Sequence, residues 1–260
     1  MIKEIYTAAL GMLPQQTKLE VTANNIANAS TPGFKRESVF ERNLIDARAN
    51  LYNVQGDAEQ NDPPIGSYTD FAQGSFTKTD NPLDIAIDNK DGFFVLNDEQ
   101  GNEYLTKSGK FKITTDGLVV SSDNKMLMGS NGPVNLQNAL INSKEGYEES
   151  KNINLVITQN GEIQLNQTFL GNLRIVEVNN PQSLERVSNS CFVTTEGTDF
   201  RNLEKEEISL KQGWIEGSNV DIIKEMVEMI EVQRMFELGS KVIHTNNETL
   251  EISLRMSKFY

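Results

Sequence analysis

The chain is poor in the residues that carry most enzyme chemistry. Its 260 residues include one cysteine, Cys191, and one histidine, His244. A lone cysteine excludes an internal disulfide. A lone histidine, set inside a helical pattern, excludes a histidine-based triad and a zinc site with several imidazole ligands. No apolar run approaches the ~20 residues of a membrane span. The opening Met1-Ile2-Lys3-Glu4-Ile5-Tyr6 is too polar for the core of a signal peptide. The expectation is a protein that is cytosolic, or exported without a cleaved signal, with no direct membrane insertion. Basic charge is scarce: 24 Lys and Arg stand against 37 Asp and Glu, a net charge of −13. That balance argues against nucleic acid and anionic lipid as partners. The Lys35-Arg36 pair is too short to reverse it. The apolar share is 37% and the mean hydropathy −0.45, which suits a modest core under much polar surface.

What the chain does have is apolar residues at helical spacing at both ends. Towards the C-terminus, Met226, Met229, Gln233, Phe236, Ser240, Ile243, Asn247, Leu250, Leu254 and Ser257 alternate steps of three and four, the seam of a coiled-coil helix. Ser218 or Asn219 is the expected N-cap, with Asp221 and Glu225 near the positive end of the helix dipole. At the N-terminus, Ile2, Ile5, Ala9, Met12, Gln16, Leu19, Ala23 and Ile26 repeat the pattern. Pro14 lies inside it and predicts a kink or break. Ser30-Thr31-Pro32-Gly33 is a stop signal. These seams are apolar on one side only and diluted by polar residues. They are therefore expected to pair with each other or with copies of themselves, and to order on assembly.

Between the ends the period becomes two. Leu83–Ile87, Phe93–Leu96, Glu103–Thr106, Lys110–Ile113, Leu118–Val120, Leu155–Ile157, Ile163–Leu165, Leu173–Val178 and Cys191–Thr194 read as strands. Thr115-Asp116-Gly117 and Asn160-Gly161 are hairpin turns. Residues 34–81 are irregular: Val39, Phe40, Leu44 and Ile45 could start a strand or short helix, and Asp57–Ser67 reads as a mobile loop or linker. The fold class is thus α+β, with long N- and C-terminal helices forming a coiled-coil layer and, between them in the chain, a central all-β domain. The expected division is 1–33 with 216–260 as the helical domain, 34–81 as a link, and 82–215 as the β-rich domain.

Chemistry-bearing clusters are thin. Asp84, Asp88, Asp91, Asp98 and Glu99 lack the ligand spacing of a calcium loop and read as solvated turns. Cys191 reads as a small buried hydrophobe. Gly92, Gly101, Gly109 and Gly117 mark strand ends, not a phosphate loop, so no cofactor is expected. A glycan-acting β-protein, akin to a peptidoglycan hydrolase, would need two carboxylates in a cleft, for which Asp84 and Asp88 qualify by type alone.

Three separated segments resemble one family. Ala23-Asn24-Asn25-Ile26-Ala27-Asn28-Ala29-Ser30-Thr31-Pro32-Gly33-Phe34-Lys35-Arg36 resembles the N-terminal signature of bacterial flagellar basal-body rod and hook proteins. Gly74-Ser75-Phe76, Asn81–Ile87 with Gly92-Phe93-Phe94, and Thr106–Phe111 with Asp116–Val119 resemble its central segment. Gln212-Gly213-Trp214-Ile215-Glu216-Gly217-Ser218-Asn219-Val220-Asp221, then Glu225-Met226-Val227 and Gln233-Arg234, resemble its C-terminal end. Length favours a rod protein over the longer hook protein, and Leu127–Pro133 is more similar to the proximal-rod than the distal-rod member. Pro14 and the Asp88–Asp91 turn depart from the family pattern.

The resemblance implies a non-enzymatic subunit. Copies would stack helically into a hollow rod that crosses the periplasm and transmits motor torque to hook and filament. The helices would line its inside and the β-domain its outside. Partners would be the chain itself, other rod subunits, hook-side or membrane-ring-side axial proteins, and the flagellar type III export apparatus, which would pass the chain unfolded. Ile5, Met12, Leu19, Ile26, Met226, Met229, Gln233, Phe236, Ile243, Leu250 and Leu254 would then form the assembly interface. Asn24, Asn25 and Asn28 would form an amide ladder between neighbouring subunits, where an unpaired buried amide is costly.

Overall fold

The structure, a computed structural model, describes residues 2–41, 65–137, 155–166, 168–195 and 199–257. Side chains are described except at residues 2–10, at 41 and 65, and at a few positions near the C-terminus. The expected start at Leu44 and Ile45, and most of the Asp57–Ser67 loop, lie outside the described residues. The architecture is α+β, with a helix at each end of a mostly β chain. Contacts divide it into two compact units: residues 1–27, 37–70 and 220–260, and residues 28–36 and 71–219.

In the helical unit, α1 (Ile2–Ala27) runs through Pro14 without a break. A proline removes one backbone N–H, and the turns on either side carry the helix past it. The second helix, α2 (Ile222–Ser257), is capped by Asp221 rather than by Ser218 or Asn219. Asp221 Oδ1 accepts from the N–H groups of Ile223 and Lys224 at 3.1 and 3.3 Å. These bonds, above all that from Lys224, hold the Asp221 carboxyl below the usual carboxylate range. Strands Glu37–Glu41 and Ile65–Thr69 pair antiparallel as a ribbon. Part of the span expected to be a loop is therefore a strand, because extended Ile65–Thr69 takes its hydrogen bonds from Glu37–Glu41.

In the β unit, a ten-stranded sheet among the described residues is built around Gly92–Asn97. That strand pairs with Glu103–Thr106, Met126–Gly129 and Ile175–Val178. Its Phe93-Phe94-Val95-Leu96 run is apolar at every position because both faces are covered. Phe94 and Leu96 join a large core with Ile85, Phe111, Leu127, Ile163 and Leu165. Phe93 and Val95 join a smaller one with Leu105, Val176 and Phe192. Hairpins close at Asp116-Gly117 and Asn160-Gly161. Strands Phe76–Lys78 and Ile85–Ile87 pair with Trp214–Glu216 and Leu210–Gln212, so the start and end of the unit are stitched together.

Candidate functional site

Two places gather the residues singled out by the sequence. One lies in the β unit, where its first and last segments meet. Gly33 N–H donates to Glu216 O at 2.8 Å, and Gly217 N–H donates to Ser75 O at 2.8 Å. Arg36 N–H donates to Asn219 Oδ1 at 2.6 Å, and Asn219 Nδ2 donates to Ala72 O at 3.0 Å. At the centre, Lys35 Nζ pairs with Glu216 Oε1 at 2.6 Å, both side chains being 1% exposed. The same ammonium donates to Ala72 O, and the same carboxylate oxygen accepts from Gly74 N–H. The other carboxylate oxygen, Oε2, is buried without a hydrogen bond. Gly33, at φ 69°, passes so close to the Lys107–Ser108 backbone that a Cβ would sit 2.3 Å from Ser108 N. Only glycine gives both the left-handed turn and the space.

Two further cations, Arg186 and Lys107, lie near this clasp. Arg186 lies over the rings of Phe34 and Phe192 and donates to Lys35 O. Lys107 is 1% exposed. Its Nζ donates to Asn89 O and Lys90 O and lies 4.8 Å from the Phe93 ring centroid. Burial pushes the Lys107 ammonium down to about 8. The Glu216 carboxylate opposes that shift, and the Lys35 charge adds to it. The Lys35-Arg36 pair, read as a short basic dipeptide, is therefore a structural tie. Sequence spacing gave no sign of its partner 181 residues away.

The second place is the helix pair. Lys18 bonds Glu228 at 3.0 Å, Asn25 bonds Glu225 at 3.0 Å, and a Cβ on Gly239 would meet Met12 at 2.9 Å. Rising along α1 therefore means descending along α2: the helices are antiparallel neighbours. The least exposed positions of α2 include Glu225, Met229, Val232, Gly239, Ile243, Asn246 and Leu250. Met229, Ile243 and Leu250 belong to the expected seam, but its alternate members are displaced by one residue. Met226 is 52% exposed and Gln233 is exposed, whereas Glu225 and Val232 are buried. Because 3.6 residues make a turn, a three-four spacing fits two adjacent registers, and within this chain the covered one runs through Glu225 and Val232.

On α1, Met12, Leu19 and Ile26 are half-buried. Ala23 is exposed, and Thr22 and Asn25 are buried in its place. Asn25 is engaged within its own chain: Oδ1 accepts from Glu37 N–H at 2.9 Å and Nδ2 donates to Glu37 O at 2.8 Å. Asn24 is exposed, and Asn28 closes the turn to Thr31 in the β unit. Phe236 is 38% exposed. The side chains of Ile5 and Leu254 lie outside the described residues.

Pairing leaves much of α2 uncovered. Ile223, Met226 and Ile230 are exposed on one side, and Met235, Leu238, Val242 and Ile252 on another. Between the helices, Leu19, Met229 and Phe236 floor a groove of about 650 Å³. Its rim carries Gln16, hydrogen-bonded to Glu20, and Gln233, hydrogen-bonded to Glu237.

The carboxylates considered for chemistry are tied elsewhere. Asp84 is 4% exposed and accepts from Asn81, and Asp88 pairs with Lys211 at 2.8 Å. Asp98 accepts from the Gln100 and Asn102 N–H groups and from Tyr104. No group of three or more metal-ligating side chains occurs among the described residues, and none of their helices is long and apolar enough to cross a membrane.

Three segments match described families. Residues 5–35 match the flagella basal body rod protein family. Residues 86–167 match the flagellar hook protein FlgE/F/G D1 domain, and residues 211–256 match the flagellar basal body rod FlgEFG protein C-terminal family. The chain is 31% identical to the flagellar basal-body rod protein FlgG of Borreliella burgdorferi over 275 residues, covering 99% of this chain and 100% of that one. It is 30% identical to FlgG of Caulobacter vibrioides over 98% of this chain and 99% of the relative. It is 29% identical to FlgF of Buchnera aphidicola over 96% and 94%. The Lys35–Glu216 pair thus links the last residue of the first matched segment to the third.

Proposed function

This chain belongs to the flagellar basal-body rod protein family and is a structural subunit of the rod, and we propose that its terminal helices are the surface on which the rod is built. One observation carries this reading: α2 is already paired with α1, yet Ile223, Met226, Met235 and Leu238 remain more than half exposed. Burying such a side chain contributes roughly 1.5–3 kcal/mol, so an isolated helix pair leaves a large driving force unspent. Apolar surface exposed on two sides of one helix marks a site of association. In the assembled rod the helices form a coiled-coil layer, with copies of the chain, other rod subunits, and hook-side or membrane-ring-side axial proteins as neighbours. The β unit, closed by its own clasp, is the rigid body that the layer carries. In this role the subunit spans part of the periplasm, passes torque along the shaft, and reaches it through the flagellar type III export apparatus.

Its work is mechanical rather than catalytic. The glycan-hydrolase alternative has no support: Asp84 is bonded to Asn81 and Asp88 to Lys211, and neither lines the helix groove or the small void inside the β unit. The test is electron microscopy of basal bodies from cells lacking this chain. Rods that stop short, without hooks, are the expected result; complete rods would overturn the assignment.

A further inference from the structure

The groove between α1 and α2 has a chemical complement on the same chain. Its floor is apolar and its rim bears two carboxylates, Glu20 on α1 and Glu237 on α2. What fits it is a helix face with an apolar row bordered by cations. The stripe Met235, Leu238 and Val242 is such a row, 57%, 59% and 51% exposed. Arg234 and Lys241, both exposed, border it two turns apart. At about 100° per residue, Val232 and Gly239 separate this stripe from Met229, Gln233 and Phe236. Stripe and groove therefore occupy different flanks of one helix and cannot meet within one subunit.

Resting on the rod-subunit reading, we propose that the groove of one copy receives the Met235–Leu238–Val242 stripe of a second copy, with Arg234 and Lys241 facing the rim carboxylates. The contact is head-to-tail: each copy offers a groove and a stripe, and using one leaves the other open. A heterologous contact of this kind continues into an open helical array instead of closing as a pair. Charge complementarity sets the register, because a slipped stripe would bring Glu231 or Glu248 towards Glu20 and Glu237 and add like-charge repulsion.

The test uses full-length chains in cells lacking the native one. Two differently tagged copies, one Glu237→Cys and one Lys241→Cys, are co-expressed; Cys191, at 1% exposure, stays out of the reaction. Oxidation of isolated basal bodies is expected to join the two tags. It should not join copies within a strain that carries Glu237→Cys alone. Charge reversal gives a second readout: Arg234→Glu with Lys241→Glu should lower the yield of complete rods roughly tenfold or more. Adding Glu20→Lys and Glu237→Lys should restore it. Rods that contain both tagged chains but give no mixed cross-link, cross-linking of Glu237→Cys copies to each other, or cross-linking only to a different axial subunit would each overturn the groove-and-stripe contact while leaving the rod role intact. Basal bodies that contain none of the chain would instead overturn the rod role itself.

Discussion

The two units handle apolar and charged groups in opposite ways. In the β unit, Phe93, Phe94, Val95 and Leu96 are all buried, and even cations go inside, provided that each finds partners, as Lys35 and Lys107 do. In the helical unit, α2 has buried side chains only at Glu225 and Val232 among its described positions, and its large apolar residues lie mostly in the open. The β unit is satisfied by its own chain; the helical unit is not. A substitution that unfolds the first should therefore abolish the subunit. A substitution on the exposed face of the second should spare the subunit and stop the polymer.

The sharpest way to break the comparison is at the clasp. Lys35→Met leaves the Glu216 carboxylate buried without its cation, and its Oε2 already lacks a donor. Removing one partner of a buried pair costs about 3–5 kcal/mol. The expected outcome is a large fall in the denaturant midpoint, reported by the fluorescence of Trp214 in the β unit. Lys35→Met with Glu216→Leu should recover much of the loss, because replacing both members by apolar groups removes the stranded charge. If the single variant matches the wild type, the clasp is not a keystone of the β unit.

Lys107 sharpens the same contrast through pH. Burial lowers its folded value to about 8 from an ordinary 10.5. The folded unit therefore sheds this proton before the unfolded chain does. Stability gains nothing below pH 8, rises as pH climbs from 8 through 10.5, and levels off above. The gain is at most about 3 kcal/mol. Denaturant titrations at several pH values should show this rise in the wild type and not in Lys107→Met, after the common slope from exposed groups is subtracted. Identical slopes would mean that the buried ammonium is solvated.

The register of the helix pair gives a smaller effect with a cleaner sign. Val232 is 3% exposed and Met226 is 52% exposed. Val232→Ala should cost the monomer about 1–2 kcal/mol, whereas Met226→Ala should stay within about 0.5 kcal/mol. Assembly should respond in the reverse order, with Met226→Ala lowering the yield of rods from an otherwise stable subunit. The reverse assignment, Met226 inside and Val232 outside, is the one that the three-four spacing counted from Met226 selects.

That case shows what was legible in the sequence and what was not. Phe93–Leu96 signals a strand, and Asn160-Gly161 a hairpin, because both signals are local. The helices were legible for the same reason, but their seam only to within one residue: Val232 and Gln233 fit a heptad equally well, and the partner helix decides. Very short strands such as Phe76–Lys78 and Trp214–Glu216 carry too few residues to show a period, and they exist because each supplies the other's hydrogen bonds. Lys35 and Glu216 each sat inside a recognised motif, yet nothing local tells a lysine that its partner comes 181 residues later. Asn25 was read as a contact between subunits. Within its own chain the amide bonds the Glu37 backbone and the Glu225 carboxylate, partners that no local spacing shows.

The start of α2 is the subtlest test, because three cap-forming residues, Ser218, Asn219 and Asp221, compete within four positions. Asn219 is occupied in the β unit, where its amide bonds Arg36 N–H and Ala72 O. Asp221 is left to accept the first free N–H groups of the helix. Asp221→Ala should therefore fray the first turn, seen as faster amide exchange at Ile223 and Lys224, while Ser218→Ala leaves it unchanged. The carboxyl is held below its ordinary range by those N–H groups, so the cap is in place above the unfolded-state value near pH 4 and weakens as pH falls through the lower folded value. Exchange at the two amides should rise in that acid window in the wild type relative to the rest of α2. An equal change in Asp221→Ala would place the cap elsewhere, and with it the point at which the last helix begins.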